Sequence, residues 1–210
     1  MSVCYIIGSA PFCTEWFPRP QQGDYVICAD GGYDHLLPLG ISPDLVIGDF
    51  DSASKIEDSY PCEVIRLLPE KDDTDTLSAI KTALSRGWRE FSLYGMLGGR
   101  LDHTVANLQL LSYLLDHQAQ GTLFSGRTRV TMLGTGRLIF PKEEECYLSV
   151  FSFTDVCPDV TLRGVKYPLK HARVDSSYPI GVSNEIISPQ AEILNNGGKL
   201  LVIQTPKESL

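Results

Sequence analysis

Residues 25–32 read YVICADGG, an apolar run that ends in an aspartate and two glycines. The same arrangement returns at residues 45–51, which read LVIGDFD. Short runs rich in Val, Ile and Tyr favour buried strands, and acidic residues or glycines directly after them mark the strand ends. Both stretches therefore predict strands that carry polar groups at one end.

Strands and helices alternate through the first half of the chain. The predicted strands cover residues 3–7, 25–29, 45–47, 63–67 and 90–94. Two further segments, residues 74–86 and 102–116, place apolar side chains at helical spacing. The predicted apolar faces are Leu77, Ile80 and Leu84 in the first helix and Val105, Leu108, Leu111 and Leu115 in the second. Strands that alternate with helices predict a doubly wound, largely parallel α/β domain.

The pattern changes after Gly121, where Gly, Pro and charged turns separate short strand-like pieces. These predicted strands cover residues 123–124, 130–133, 138–140, 147–153, 160–162 and 200–204. No segment there has a convincing helical period, and the pattern is typical of a small antiparallel β-sandwich. We expect the boundary near Gly126, which gives an α/β domain at residues 1–126 and an all-β domain at residues 127–210.

The charge, the hydropathy and the cysteine content of the chain limit the classes of function that it can have. The net charge of −8 argues against nucleic-acid binding, which relies on basic patches, and would suit a cationic substrate. The first apolar run follows no basic residue and is far shorter than the ~20 residues that span a bilayer, so we expect a cytoplasmic protein without membrane attachment. The six cysteines form no C-x-x-C pair and show no zinc spacing, which favours reduced thiols.

Three aspartates follow predicted strands directly. Asp30, Asp49 and Asp51 should lie at the carboxyl ends of the strands, where open α/β sheets bind ligands. Asp49 and Asp51 are two residues apart, so on extended chain their side chains would point the same way. Such carboxylates suit Mg²⁺, although Asp-x-Asp can also cap a turn. The motif also suggests haloacid-dehalogenase-type phosphatases, but these have Thr or Val where this chain has Ala53.

Two more clusters precede the predicted helices. Residues 71–75 read KDDTD; Thr74 or Asp73 could cap the first helix, and Lys71 could contact phosphate or form a salt bridge. Residues 98–103 read GGRLDH, in which the glycine N–H groups, the helix N-terminus and Arg100 would form an anion site. The alternative is that Asp102 caps the second helix and His103 forms only local hydrogen bonds.

Taken in order, these motifs resemble the thiamine pyrophosphokinase family. The resemblance rests on residues 29–32, 48–52, 71–75, 98–103 with Asn107, and 183–185. It implies an α/β catalytic domain followed by a β-sandwich, magnesium dependence, and transfer of a pyrophosphoryl group from ATP to thiamine. It also implies a homodimer with sites built between two subunits.

The resemblance assigns roles to individual residues. The catalytic group would be Asp49, Asp51, Asp75 and Arg100, of which the three aspartates would hold the metal. The nucleotide and phosphate group would be Asp30, Gly31, Lys71, Asp72, Thr74, Gly98, Gly99, Asp102, His103 and Asn107. The thiamine group would be Ser183 and Asn184, in a polar segment that otherwise predicts only a turn. The C-terminal strands offer no identifiable aromatic partner for the thiamine ring.

Two alternatives remain open from the sequence. One is a pyrophosphokinase for another small hydroxymethyl substrate, such as a pterin, which would share the α/β half and differ in the second domain. The other is a non-catalytic nucleotide-binding sensor, which would need the glycine clusters but not five separated carboxylates.

Overall fold

The structure is a computed structural model that describes residues 2–50, 62–68, 70 and 72–207. It divides into two compact units, Met1–Gly126 and Arg127–Leu210. Asp51 and Lys71 lie outside the described residues, so the roles assigned to them stay predictions. Within the described ranges, no helix is both long and apolar enough to cross a membrane.

The apolar runs of the first unit form a parallel sheet. Its described strands are β1 (Cys4–Ile7), β2 (Tyr25–Ala29), β3 (Leu45–Gly48), β4 (Glu63–Arg66), β5 (Glu90–Tyr94) and β6 (Gln120–Ser125). They lie in the order β6-β5-β1-β2-β3-β4, and every adjacent pair is parallel. Continuous apolar runs are expected for parallel strands, because both faces of such a sheet are covered.

Helices cover this sheet through faces that differ from the predicted ones. The described helices are α1 (Tyr33–Leu36), α2 (Asp75–Ser85) and α3 (Leu101–Asp116). The buried residues are Ala79, Ile80 and Ala83 in α2 and Leu110, Leu111 and Leu114 in α3. The predicted faces were therefore wrong in part: Val105 is half exposed, and two alanines bring α2 close to β1, β2 and β3. Apolar spacing identifies a helix, but several overlapping stripes can satisfy it.

The connection from β2 to β3 contains helical turns that the sequence analysis did not predict. They comprise α1 and two 3₁₀ turns, Asp30–Gly32 and Leu37–Leu39. Each has only a single turn, which is too short to produce a periodic pattern. Tyr33 and Leu36 of α1 nevertheless join the buried cluster that includes Ile7 and Cys28.

The second unit is a β-sandwich, which confirms the predicted fold class. Its strands are β7 (Thr128–Leu133), β8 (Gly136–Pro141), β9 (Cys146–Ser152), β10 (Val156–Arg163), β11 (Leu169–Asp175), β12 (Gly181–Asn184), β13 (Gln190–Asn195) and β14 (Leu200–Pro206). They form two antiparallel groups, ordered β12-β9-β14-β7 and β11-β10-β13-β8. Apolar side chains of both groups, among them Val150, Val160, Ile193 and Val202, meet in one buried cluster.

Three strands of the sandwich were not predicted. The β11 sequence LKHARVD and the β13 sequence QAEILN mix polar with apolar residues, and each strand has positions that are exposed or only half-buried. The third, β12, is an edge strand where the sequence predicted a turn. It pairs with β9 through an irregular register, and Ser183 within it has a positive φ of 56°. The strand predicted at residues 123–124 is β6, which pairs in parallel with β5.

Glycines allow the ends of neighbouring strands to touch. A Cβ atom on Gly32 would lie 2.0 Å from the carbonyl oxygen of Ile7, and one on Gly8 would lie 2.6 Å from the carbonyl oxygen of Gly95. A Cβ atom on Gly95 would lie 2.3 Å from the carbonyl oxygen of Gly8. These neighbours are backbone atoms, so a side-chain rotation cannot relieve the overlap. The carboxyl ends of β1, β2 and β5 are therefore in direct backbone contact.

We expect Gly32→Ala to lower the free energy of unfolding by about 3 kcal/mol, because β1 and β2 must shift apart to admit the methyl group. Gly40→Ala is the control. The φ of Gly40 is 64°, but in the part of the chain that the structure describes nothing lies within 4 Å of an added Cβ, so this variant should lose only about 1 kcal/mol through backbone strain. Urea unfolding followed by circular dichroism measures both variants. Equal losses in the two variants would contradict the steric explanation.

Candidate active site

Three carboxylates meet at the carboxyl ends of the strands. Asp30 follows β2, Asp49 follows β3, and Asp75 is the first residue of α2. One ligand oxygen from each lies within 4.8 Å of the others, and all three residues are half-buried. The sequence grouped Asp49 and Asp75 at the metal and assigned Asp30 to the nucleotide. The structure brings all three together because β2 and β3 are parallel neighbours.

The backbone around this cluster is unusual. Asp30 and Phe50 have positive φ values of 50° and 58°, a region that residues other than glycine rarely adopt. The end of β3 passes close to Asp30, since a Cβ on Gly48 would lie 3.2 Å from the Cα of Asp30. Phe50 has a left-handed rather than an extended conformation, while Asp51 lies outside the described residues, so its orientation relative to Asp49 stays a prediction.

The start of α2 is held by a side-chain cap. The hydroxyl of Thr74 accepts a hydrogen bond from the Leu77 N–H at 3.2 Å, which confirms the capping interpretation for Thr74. Asp73 instead pairs with Lys81 at 2.6 Å. Asp72 lies outside the carboxylate cluster and lines an open cavity of about 590 Å³, together with Arg66 and Lys81.

The segment before α3 exposes its backbone. Gly98 and Gly99 have positive φ values of 89° and 68°, and no atom of the described residues lies within 4 Å of a Cβ built on either. Arg100 forms two hydrogen bonds with the carboxylate of Asp102, at 3.1 and 2.6 Å. The hydrogen bonds from Arg100 hold the pKa of the Asp102 carboxyl below its usual value. Both side chains are exposed, so the pair contributes little to stability.

The capping alternative for Asp102 is only partly correct. Helix α3 begins at Leu101 after Arg100, which gives no side-chain cap, and Asp102 lies inside the first turn, where it accepts the N–H of His103 at 3.0 Å. His103 itself is exposed. Asn107 donates a hydrogen bond to the carbonyl of Met96 at 2.8 Å, and this contact fixes the loop after β5 against α3.

In the second unit, Asn184 organises a small cavity. Its side chain is buried, with 4% of the residue exposed. Its Oδ1 accepts hydrogen bonds from the N–H groups of Tyr167 and Glu185 at 3.0 and 2.9 Å. Its Nδ2 donates a hydrogen bond to the carbonyl of Tyr167 at 2.7 Å. Ser183 is exposed, and its N–H donates to the hydroxyl of Ser149 at 3.0 Å. Asn184 therefore holds a neighbouring loop by its backbone.

Tyr167 is an aromatic residue beside this cavity that the sequence analysis did not identify. It lines a cavity of about 260 Å³ with Asn184, Ile180 and Val182, and its side chain is largely exposed. It lies in the loop between β10 and β11, whereas an aromatic partner for the thiamine ring was expected in the C-terminal strands. The feature of the sequence that could have indicated this residue is a tyrosine followed by a proline in a predicted loop.

A parallel α/β unit with carboxylates at its strand ends, followed by a β-sandwich with a small cavity, is typical of an enzyme that binds a phosphorylated ligand at the sheet edge. The family model described as thiamin pyrophosphokinase, catalytic domain, matches residues 20–123. A second, described as thiamin pyrophosphokinase, vitamin B1 binding domain, matches residues 137–200. The thiamine pyrophosphokinase of Bacillus subtilis is 30% identical over 185 residues, which cover 85% of this chain and 86% of that protein.

Solved structures agree with this likeness. Thiamine pyrophosphokinase from Bacillus subtilis superimposes with a TM-score of 0.87 at 27% identity and covers 98% of this chain and 99% of its own. A thiamin pyrophosphokinase family protein from Enterococcus faecalis superimposes with a TM-score of 0.83 at 30% identity, over 99% of this chain and 100% of its own. The chain belongs to the thiamin pyrophosphokinase family. The resemblance drawn from the motifs is thus confirmed, and neither the pterin enzyme nor the nucleotide sensor is favoured.

Proposed function

We propose that this chain transfers a pyrophosphoryl group from ATP to thiamine, which yields thiamine diphosphate and AMP. The observation that carries the proposal is the cluster of Asp30, Asp49 and Asp75, found in a member of this family. We assign ATP binding and catalysis to residues 1–126 and thiamine binding to residues 127–210. The thiamine hydroxyl oxygen attacks the β-phosphorus and its proton passes to a carboxylate of the site, while the bond between the β-phosphorus and the α,β-bridging oxygen breaks and AMP leaves with that oxygen.

The donor set of the cluster fits Mg²⁺. Three half-buried carboxylates within 4.8 Å supply the hard oxygen ligands that this ion prefers. We propose that Asp30, Asp49 and Asp75 hold it, and that Asp51 adds a further carboxylate. When bound, Mg²⁺ neutralises charge on the phosphate oxygens of ATP.

The remaining groups of the first unit would bind phosphate. The open backbone of Gly98 and Gly99 leads into α3, whose N-terminus attracts anions. Arg100 can exchange the exposed carboxylate of Asp102 for phosphate oxygens, because an exposed ion pair is weak and guanidinium binds phosphate through two hydrogen bonds. Gly31, Lys71 and Asp72 remain candidates on this side. The protein thereby acts through positioning and charge stabilisation.

The cavity of the second unit would bind thiamine. Tyr167 offers an aromatic face to the thiazolium ring, since aromatic faces attract cations. Ser183 directly precedes Asn184, and its exposed hydroxyl can make a polar contact with thiamine. Asn184 supports the loop that carries Tyr167 through a hydrogen bond to its backbone. Asn184 also lines this cavity, so its predicted contact with thiamine stays part of the proposal beside its support of the Tyr167 loop.

We also propose that the protein is a homodimer and that it is located in the cytoplasm. The family resemblance suggests a homodimer with sites built between subunits. Exposed apolar side chains in and beside β12, namely Ile180, Val182 and Ile187, support an interface on this unit. The six cysteines are free thiols, which suits the reducing cytoplasm. Light scattering of the purified protein tests the dimer.

Product analysis tests the function. Purified protein is incubated with thiamine, ATP and Mg²⁺, and AMP and thiamine diphosphate are followed by chromatography. We expect equal amounts of both products and loss of turnover on adding EDTA. Formation of ADP or free phosphate in place of AMP would contradict pyrophosphoryl transfer.

A further inference from the structure

A second charged cluster lies next to the cavity of the second unit, and the proposed function gives it no role. The carboxylate of Glu185 accepts hydrogen bonds from Lys166 Nζ at 2.7 Å and from Lys207 Nζ at 2.9 Å, one on each oxygen. Glu145 is a looser partner of Lys207, at 3.8 Å. One carboxylate thus lies between two ammonium groups.

Glu185 is connected to the cavity rim by its backbone and by Lys166. Its N–H donates to Asn184, and its carbonyl accepts the N–H of Lys166 at 2.9 Å. Lys166 directly precedes Tyr167, and its Nζ lies 5.7 Å from the centre of the Tyr167 ring. The ammonium group of Lys166 is therefore close to the ring that lines the cavity.

This position has an electrostatic consequence for a cationic ligand. Thiamine carries a positive charge on its thiazolium ring, and an uncompensated ammonium group at the rim would repel it. The two lysines hold the pKa of the Glu185 carboxyl well below its usual value, at about 2. Glu185 is accordingly charged at any pH at which the enzyme would be assayed, and it compensates the ammonium group of Lys166 throughout.

We propose that Glu185 makes the cavity compatible with a cationic ligand by compensating the charge of Lys166. This inference rests on the proposed function, because it takes thiamine as the ligand. Glu185 does not line the cavity, so it is a positioning residue that acts through Lys166. It determines specificity between charged and uncharged ligands of the same shape.

The test uses Glu185→Gln, which keeps the size of the side chain and removes its charge. We expect the KM for thiamine to rise roughly fivefold, while kcat and the KM for ATP change by less than about twofold. Binding of an uncharged analogue, with a thiophene ring in place of the thiazolium ring, should be unchanged. The double variant E185Q/K166M should return the KM for thiamine toward the wild-type value, because it removes the repelling ammonium group.

Glu192→Gln is the matched control. Glu192 also bridges two cations in the second unit, Arg137 at 2.6 Å and Arg163 at 2.8 Å. Neither arginine lines the cavity, and neither is adjacent to Tyr167 in the sequence, as Lys166 is. It should leave the KM for thiamine unchanged. Equal losses for thiamine and the uncharged analogue in E185Q, or no recovery in the double variant, would overturn the proposal. Wild-type turnover with thiamine is measured first, so that failure of the proposed function is distinguished from failure of this inference.

Discussion

Replacement of Asp49 by asparagine is expected to lower the rate of AMP formation by about a thousandfold, while the protein remains folded. Asparagine keeps the size of the side chain but removes the charge from a cluster in which three carboxylate oxygens lie within 4.8 Å. The variant should also need more Mg²⁺ for half-maximal activity. Chromatography of AMP and thiamine diphosphate across a range of Mg²⁺ concentrations measures both effects. We predict the same result for Asp51→Asn.

Asp73→Asn is the control for this prediction. Asp73 lies two residues before Asp75, pairs with Lys81 and is not a member of the cluster. Its replacement should leave turnover close to that of the wild type, since an exposed ion pair contributes little. Near-normal activity of folded Asp49→Asn would remove Asp49 from the proposed metal site.

The second large effect is expected from Asn184→Ala, which should raise the KM for thiamine by about thirtyfold and leave the KM for ATP within about twofold. The change removes all three hydrogen bonds that Asn184 makes to the backbone of Tyr167 and Glu185. The Tyr167 backbone then loses both of its bonds to Asn184, and the aromatic ring is held less firmly at the cavity. Steady-state kinetics with each substrate varied in turn gives both constants.

Asn195→Ala separates this effect from simple destabilisation. Asn195 is also buried, and it donates to the carbonyls of Leu133, Gly134 and Gly198 at 3.2, 3.0 and 3.1 Å. Both variants should unfold at lower urea concentrations, but only Asn184→Ala should weaken thiamine use. A comparable rise in the two KM values of Asn184→Ala would place the thiamine site elsewhere. Ser183→Ala, tested beside it, reports on the exposed hydroxyl alone.

Strands β1 to β5 of the parallel sheet could be predicted to within about a residue, and β1, β2 and β3 read as continuous apolar runs because both faces of such a sheet are covered. The prediction at residues 123–124 covered only part of β6. The strands β11 and β13 could not be predicted, since each has exposed polar positions and too few apolar residues to form a recognisable run. The helix faces were partly wrong for a related reason. Spacing alone cannot distinguish Leu110 and Leu114 from Val105 and Leu115 as the buried stripe of α3.

The sequence predicted which residue types form the candidate site, but it predicted their spatial arrangement only in part. Asp30 and Asp49 could be placed at strand ends and Asp75 at the start of a helix from their sequence positions, but the proximity of Asp30 to Asp75 depends on how α2 packs. The left-handed conformation of Phe50 could not be predicted from the sequence, because phenylalanine rarely adopts it. The hydrogen bonds between Tyr167 and Asn184 connect residues 17 positions apart in the sequence. The strand β11 lies between these two residues, and the sequence did not predict it.

The contacts among Gly8, Gly32 and Gly95 affect how the enzyme can be altered. The ends of β1, β2 and β5 are spaced by main-chain atoms alone, so the separation between them is set independently of the side chains that fill the interior. Apolar residues such as Ile6 or Ile27 can be exchanged for others of similar volume at modest cost in stability. A library that repacks the interior and preserves these three glycines would thus retain the spacing of the strands from which Asp30 and its neighbours project.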